Sequence, residues 1–348
     1  MPQTAVNALL NHQLILARRP DTLTEPIADD VLRYETSDVP EPAEGQFLVR
    51  IHWMSLDPAT RGWMNDNRNY IVPTEIGEVM RALSAGEVIA SKHPRYPVGA
   101  LVEGLLGAQE YAISDGKSSD GKEIRIIPST IPLAASLNVL GINGLTAWFG
   151  IHDIGTPKAG ETAVVTAAAG GVGSVAVQLL KAAGCRVIGL AGDQEKCDWV
   201  RSLGAVECIN YKTDDVTAAI ARLCPDRIDI VFDNVGGSML DSLLPSLAFH
   251  SRVILCGAIS RYKGQPESLK NWFPLLINRT RMQGFIYRDH EDRFHEAEAD
   301  LLPRLERHEI QYREHVIDGL EKAPQALAML FDGSNRGKLL VKIADDAK

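Results

Sequence analysis

The stretch from Thr162 to Gly184 reads TAVVTAAAGGVGSVAVQLLKAAG, and its chemistry lies in its glycines. It is long, apolar and almost uncharged, like a membrane span, yet two adjacent glycines and a third sit near its middle. The pattern is Ala168-x-Gly170-x-x-Gly173, a GxGxxG with alanine in the first place. Such a turn must bend sharply, let the backbone approach a pyrophosphate, and pack a helix closely on a strand; side chains would obstruct all three. The run before it, TAVVTA, is β-branched like a buried strand. The run after it spaces Val172, Ala176, Leu179 and Leu180 as one helical face. The stretch is therefore read as strand, turn and helix. Ala168, Gly170, Gly171, Val172 and Gly173 are the candidates for holding phosphates at a helix N-terminus. The competing reading is a βαβ turn that binds nothing.

The next strand selects the dinucleotide. An NAD site usually carries Asp or Glu at the end of its second strand, bonded to the ribose 2′-hydroxyl. Here that strand, CRVIGLAG, ends in Gly192; Asp193 comes one place late and Lys196 soon after. A missing carboxylate and a nearby cation favour NADP, with Lys196 reaching a 2′-phosphate rather than serving as an ordinary solvated lysine. No zinc site is expected. No cysteine precedes Cys185, and Cys185, Cys197, Cys208, Cys224 and Cys256 are widely spaced with no CxxC. The histidines, among them His52, His93, His152 and His250, form no ligand-like group. Charge developing on a substrate oxygen would then be met by hydrogen bonds.

These residues need a scaffold. From about Pro128 onward, the β runs TAVVTA, CRVIGLA, AVECIN, IDIVFDN, SRVILCG and MQGFIY follow one another. Helical segments separate the first five, among them VGSVAVQLLKAAG, EKCDWVRSLG and GSMLDSLLPSLAF. The expected fold class is α/β: a doubly wound parallel sheet of Rossmann type. Before residue 128 the chain reads as short strands and Pro/Gly-punctuated loops, and after about 315 strand-like pieces resume, ending in GKLLVKIA. The expected division is a β-rich catalytic domain over 1–127 with 316–348, and a dinucleotide-binding domain over 128–315. An active site is expected in the cleft between them.

With 348 residues, the chain is long enough for two cores. A net charge of −9 disfavours nucleic acid and acidic lipid as partners. An odd cysteine count points to free thiols in a reducing compartment. The first twenty residues lack the apolar core and cleavage site of a secretory signal, so a cytoplasmic protein is expected.

Eight segments in order carry a family resemblance. They are SLDPATRGWM (Ser55 to Met64), NGLTAWFGIHDIG (Asn143 to Gly155), AAAGGVGS (Ala167 to Ser174), NYK (Asn210 to Lys212), FDNVGG (Phe232 to Gly237), CGAISRY (Cys256 to Tyr262), GFIYR (Gly284 to Arg288) and SNRGKLLVK (Ser334 to Lys342). The chain resembles zinc-independent medium-chain dehydrogenases/reductases, in the branch of NADPH-dependent alkenal, prostaglandin and curcumin reductases. The resemblance implies a GroES-like fold for the β-rich domain and NADPH as cofactor. It implies that Lys196 holds the 2′-phosphate with Tyr211 on the adenosine side. Asn234, at the end of the fourth strand, would contact the cofactor. Cys256, Gly257 and Ile259 would line the nicotinamide half, Phe285, Tyr287 and Asn335 would complete the cleft, and Thr146 would start the helix near the nicotinamide.

Tyr262 is the catalytic candidate. It follows the fifth strand, at the carboxyl edge where doubly wound sheets bind ligands. A phenol with an ordinary pKa of about 10 keeps its proton at neutral pH. It can donate to an enolate oxygen as that oxygen forms, while the alternative role is packing against substrate. The implied activity is hydride transfer from NADPH to the β-carbon of an α,β-unsaturated ketone or aldehyde. Rival readings are quinone reduction, alcohol or carbonyl oxidoreduction, and non-catalytic NADPH binding. The family commonly has tyrosine where Ala59 stands, which changes the substrate pocket; Trp53, Trp63, Met64, Trp272 and Phe273 are candidates to line it. The resemblance also implies a homodimer through the Rossmann domain, with RMQGFI near the contact.

Overall fold

The computed structural model describes residues 9–22, 24–66, 70–263 and 268–345. The chain opens with β1 (Leu10–Leu16), β2 (Leu32–Asp38), β3 (Phe47–Leu56), α1 (Pro58–Trp63), β4 (Ser84–Ser91), β5 (Leu101–Gly104), β6 (Tyr111–Ser114), β7 (Arg125–Ile127) and α2 (Leu133–Ser136). Then come α3 (Ile142–Phe149), which runs on as a π-helical turn over Gly150–Gly155, β8 (Thr162–Val165), α4 (Gly171–Ala182), β9 (Arg186–Ala191), α5 (Gln194–Ser202), β10 (Glu207–Asn210) and α6 (Val216–Leu223). β11 (Ile228–Asp233), α7 (Gly237–Leu243), β12 (Leu247–Leu255), α8 (Phe273–Ile277), β13 (Arg281–Gly284) and α9 (Phe294–Glu306) follow. The chain closes with β14 (Glu314–Asp318), α10 (Ala323–Leu327), α11 (Met329–Asp332) and β15 (Lys338–Lys342).

Two compact units emerge: 1–137 with 315–334 and 339–348, and 138–314 with 335–338. The sequence boundary at 127/128 lies ahead of α2. That helix packs on β3 and β4, which keeps it with the first unit.

In the first unit, β1 pairs with β2, and a seven-stranded sheet runs β14-β15-β3-β4-β5-β7 with β6 added on β3. β3 is its spine. Phe47, Val49 and Ile51 are fully buried and pack with Val88, Tyr96, Val102 and Ala112. β15 lies antiparallel on β3, with Leu339 opposite Leu56 and Lys342 opposite Trp53.

In the second unit, six strands form one sheet in the order β10-β9-β8-β11-β12-β13, every pair parallel. This is the 3-2-1-4-5-6 order of a doubly wound fold. Each strand overlaps a run read from the sequence, although β12 begins four residues before SRVILCG and β13 covers only the first half of MQGFIY. Their residues are apolar on both faces because helices cover both. Val164, Ile188, Ile209, Val231 and Val253 share one core with Leu240 and Leu243 of α7. Strand order reverses between β8 and β11, which places the ligand crevice at their carboxyl ends.

Two sequence expectations are corrected. The helical reading of GSMLDSLLPSLAF runs too far: α7 stops at Leu243, a 3₁₀ turn covers Leu244–Ser246, and Leu247 already belongs to β12. Pro245 cannot donate to a continuing helix, and Leu247 pairs with Ile228 of β11. Thr146 does not start its helix, which begins at Ile142.

Candidate dinucleotide site

The glycine turn joins β8 to α4 and is tied to the sheet on both sides. Thr166 N donates to Phe232 O (3.1 Å) and Ala168 N to Leu190 O (3.0 Å), the strands flanking β8. Ala167 adopts a left-handed conformation (φ +48°), so the bend itself rests on a non-glycine residue. Gly170 N donates to Ala167 O (2.9 Å), and Gly170 O accepts the first helical bond from Ser174 N (2.9 Å). No side chain caps α4, so its first-turn N–H groups are not taken up by a side-chain cap.

The glycines divide by function. A Cβ on Gly173 would strike the Ala167 backbone, with Ala167 C and Ala168 Cα both 2.9 Å away. A Cβ on Gly171 would strike Asn143 of α3, 2.8 Å from its Cγ. Both are needed for packing. A Cβ on Gly170 would meet only Ala167 O, at 3.2 Å, and otherwise lies in open space. That open side, beside an uncapped helix N-terminus, is the cradle that a pyrophosphate fits.

At the end of β9, Gly192 has a specific neighbour. A Cβ there would lie 2.7 Å from the Tyr211 hydroxyl and 3.4 Å from Lys212 Cε. Tyr211 is anchored by its N–H on Ala191 O (3.1 Å). A carboxylate side chain at position 192 would therefore displace Tyr211. Burial, with a further push from Asp193, raises the Tyr211 phenol pKa and keeps it protonated. Asp193 Oδ1 caps α5 by accepting from Lys196 N (2.8 Å), which sets half-buried Lys196 in the first helical turn. Spacing could not reveal the partner here. Arg336, 141 residues along the chain from Glu195, lies 3.2 Å from its Oε2.

A second knot joins β8 to β11. Asp233 is fully buried; its Oδ1 accepts from Thr166 Oγ1 (2.8 Å) and Val235 N (3.2 Å), and its Oδ2 from Gly236 N (2.8 Å). Burial raises its carboxyl pKa, and the hydrogen bonds from Thr166, Val235 and Gly236 oppose that rise. Asn234 N donates to Thr166 Oγ1 (2.8 Å) and its Nδ2 to Thr166 O (2.7 Å). Sequence reading named Asn234 but missed Thr166 and Asp233, which hold it. Their only signal was position at the two strand ends.

From this knot the next loop is hung. Cys256 N and Gly257 N donate to Asp233 O (2.9 and 3.1 Å), and Ile259 N to Asn234 O (3.4 Å). Ser260 N donates to Val235 O (3.0 Å), fixing the 3₁₀ turn Ile259–Lys263 that carries half-buried Tyr262. A Cβ on Gly257 would meet Asn234 O at 2.9 Å. Burial, then Asp233, pushes the Cys256 thiol pKa far up, so it stays neutral.

The remaining candidates fall in other settings. Asn335 joins the glycine turn: its Nδ2 donates to Gly337 O (2.9 Å), and Gly337 forms a parallel bridge with Gly170. Thr146 is half-buried on α3, one turn beyond Asn143. The Phe285 ring edge would lie 2.9 Å from a Cβ on Gly150. Tyr287 stacks on Phe294 of α9, with centroids 5.8 Å apart. Trp63 and Met64 are buried in the first unit, whereas Trp272 and Phe273 are more than half exposed.

Residues 12–121 match the family model described as N-terminal domain of oxidoreductase, and residues 171–304 the model described as zinc-binding dehydrogenase. The chain is 39% identical to the NADPH-dependent curcumin reductase of Escherichia coli (strain K12), across 97% of this chain and 98% of that protein. It is 36% identical to the NADP(+)-dependent 2-alkenal reductase of Nicotiana tabacum, across 88% and 89%. The crystal structure of CurA from Vibrio vulnificus in complex with NADPH superposes with a TM-score of 0.88 at 41% identity, covering 96% of this chain and 99% of that one. The chain belongs to the zinc-independent medium-chain dehydrogenase/reductase family. This family member is an oxidoreductase. Although one matching model is named for zinc, no group of three or more His, Cys, Asp or Glu among the described residues could hold a metal ion. No helix among the described residues is long and apolar enough to cross a membrane.

Proposed function

We propose that this oxidoreductase uses NADPH to reduce the carbon–carbon double bond of α,β-unsaturated ketones or aldehydes. When bound, NADPH supplies a hydride equivalent for the β-carbon. A proton taken up from water at the α-carbon completes the saturated product, and the chain's own residues bind and orient the reactants. The backbone of Gly170 to Gly173 holds the pyrophosphate, with Ala168 behind it. Lys196 and Tyr211 take the 2′-phosphate corner, which Gly192 keeps free of a carboxylate. Asn234 contacts the cofactor at the end of β11, and Cys256, Gly257 and Ile259 form the wall by the reacting end. Thr146, Phe285, Tyr287 and Asn335 complete the cofactor's surroundings.

Tyr262 donates a hydrogen bond from its protonated phenol to the carbonyl oxygen as that oxygen gains charge. The observation that carries this role is the anchoring of the Tyr262 turn on the end of β11, through Ser260 N and Val235 O. A donor fixed before the reaction stabilises the transition state without reorganising.

The test is a panel of enones, alkenals, quinones and alcohols with NADPH, followed by loss of cofactor absorbance and product identification. Saturated ketones or aldehydes are the expected products. Turnover of quinones alone would overturn the double-bond assignment.

We further propose a homodimer built on the second unit. β13 is the edge strand of the sheet, and the adjoining α8 exposes Trp272, Phe273 and Leu276 by more than half their surface. An open strand edge beside an apolar patch is a pairing surface, here for a second copy of the chain.

A further inference from the structure

A second cation stands at the 2′ corner. Arg336 belongs to the short segment 335–338, which is part of the second unit. The bridge between Gly170 and Gly337 fixes that segment beside the α4 N-terminus. Gly337 is left-handed (φ +77°), and a Cβ there would lie 2.7 Å from the Arg313 backbone carbon. Lys338 N donates to Arg313 O (2.9 Å). The backbone on the carboxyl side of Arg336 is thus pinned. Its guanidinium reaches the start of α5, with Nε 3.2 Å from Glu195 Oε2 and Nη2 3.4 Å from Asp193 Oδ2.

Asp193 is the acid nearest the end of the second strand, where a carboxylate would otherwise bond a ribose 2′-hydroxyl. In this chain that acid faces an arginine. We infer that Arg336 is a specificity residue that changes partners: Asp193 and Glu195 hold it in the ligand-free protein, and a 2′-phosphate displaces them. The inference rests on the NADPH reading given above. A phosphate monoester carries more charge than a carboxylate and meets the guanidinium fork in bidentate fashion. A 2′-hydroxyl has no charge with which to compete, so with NADH the arginine stays on the two acids. Glu195 has a second cation ready, Arg313 Nη1 at 3.8 Å. Arg313 itself lies 4.0 Å above the Trp199 ring, so it is held while Arg336 moves.

The experiment measures binding without turnover. Calorimetric titrations of 2′,5′-ADP and 5′-AMP are run on the wild type, Arg336→Gln, Arg336→Lys and Glu195→Gln. Loss of one charge-assisted pair should weaken 2′,5′-ADP by about tenfold in Arg336→Gln. 5′-AMP should keep its affinity in that variant, which also verifies its fold. Arg336→Lys should recover part of the loss, and Glu195→Gln should bind 2′,5′-ADP more tightly than wild type. A wild type that does not prefer 2′,5′-ADP would remove the NADPH reading and this inference together. A preference retained in full by Arg336→Gln would overturn this inference alone. Equal losses for both ligands would also overturn it, because the guanidinium would then be packing on adenosine. Weaker 2′,5′-ADP binding in Glu195→Gln would exclude the exchange of partners.

Discussion

Ala168 and Gly189 occupy one space between them: a Cβ on Gly189 of β9 would lie 2.9 Å from the Ala168 Cβ. This explains how a glycine turn works with alanine in its first place. The methyl group that Ala168 adds is accommodated by the one that β9 omits. Gly189→Ala should therefore overpack the contact, where Val200 and Cys208 also crowd in. A loss of about 1–3 kcal/mol is expected in chemical denaturation, as for other overpacked cores. Ala168→Gly in the Gly189→Ala background should restore only part of it, because Val200 Cγ1 would lie nearer still, at 2.5 Å. A single Gly189→Ala variant as stable as wild type would show that the turn can move away.

Much of this arrangement was legible in the sequence, and its limits are physical. Six β runs with period-free apolarity marked the parallel sheet, because strands covered on both faces cannot alternate. The glycines located the turn because their requirement is local, and Gly192 stood out through the absence of an expected acid. Thr166, Asp233 and Arg336 were not legible. Thr166 and Asp233 are 67 residues apart, and their bond exists only because β8 and β11 become neighbours at the reversal of strand order. Arg336 gains its place from the bridge at Gly337, which no spacing rule encodes. The helix over 237–249 was overrun because apolar residues at helical spacing also suit a buried strand, and Pro245 decides between them.

The proposed 2′-phosphate role of Lys196 would separate the two cofactors. The residue sits in the first turn of α5, positioned by the Asp193 cap on its own N–H. Lys196→Ala leaves that cap intact, so the helix start should persist. Loss of its charge-assisted bond should raise the KM for NADPH about tenfold. The KM for NADH should change far less. Equal effects on both would assign Lys196 to packing. The NADPH effect should also shrink in high salt, as exposed charge interactions do.

The open edge at β13 predicts assembly. Light scattering should give twice the chain mass of 38.0 kDa. Leu276→Glu places a charge in the most exposed part of α8 and should shift the mass toward the monomer. Its far-ultraviolet circular dichroism should be unchanged, because the side chain is 64% exposed and supports no core. A wild type that runs as a monomer at micromolar concentration would remove the dimer proposal.

Tyr262 supports a prediction that separates chemistry from binding. Its turn is held by main-chain bonds from Ile259 and Ser260, which Tyr262→Phe leaves in place along with the ring. Tyr262→Phe should therefore preserve the loop and the NADPH dissociation constant. Removing a hydrogen bond that strengthens only as the carbonyl oxygen gains charge lowers kcat and kcat/KM together. An oxyanion donor of this kind is worth about 3 kcal/mol, so a drop of about a hundredfold in kcat is expected. A rise in KM with kcat intact would instead give the phenol a part in holding substrate equally in ground and transition states. An unchanged kcat and KM would leave the ring as packing, and the oxygen's charge would then have to be met by another donor.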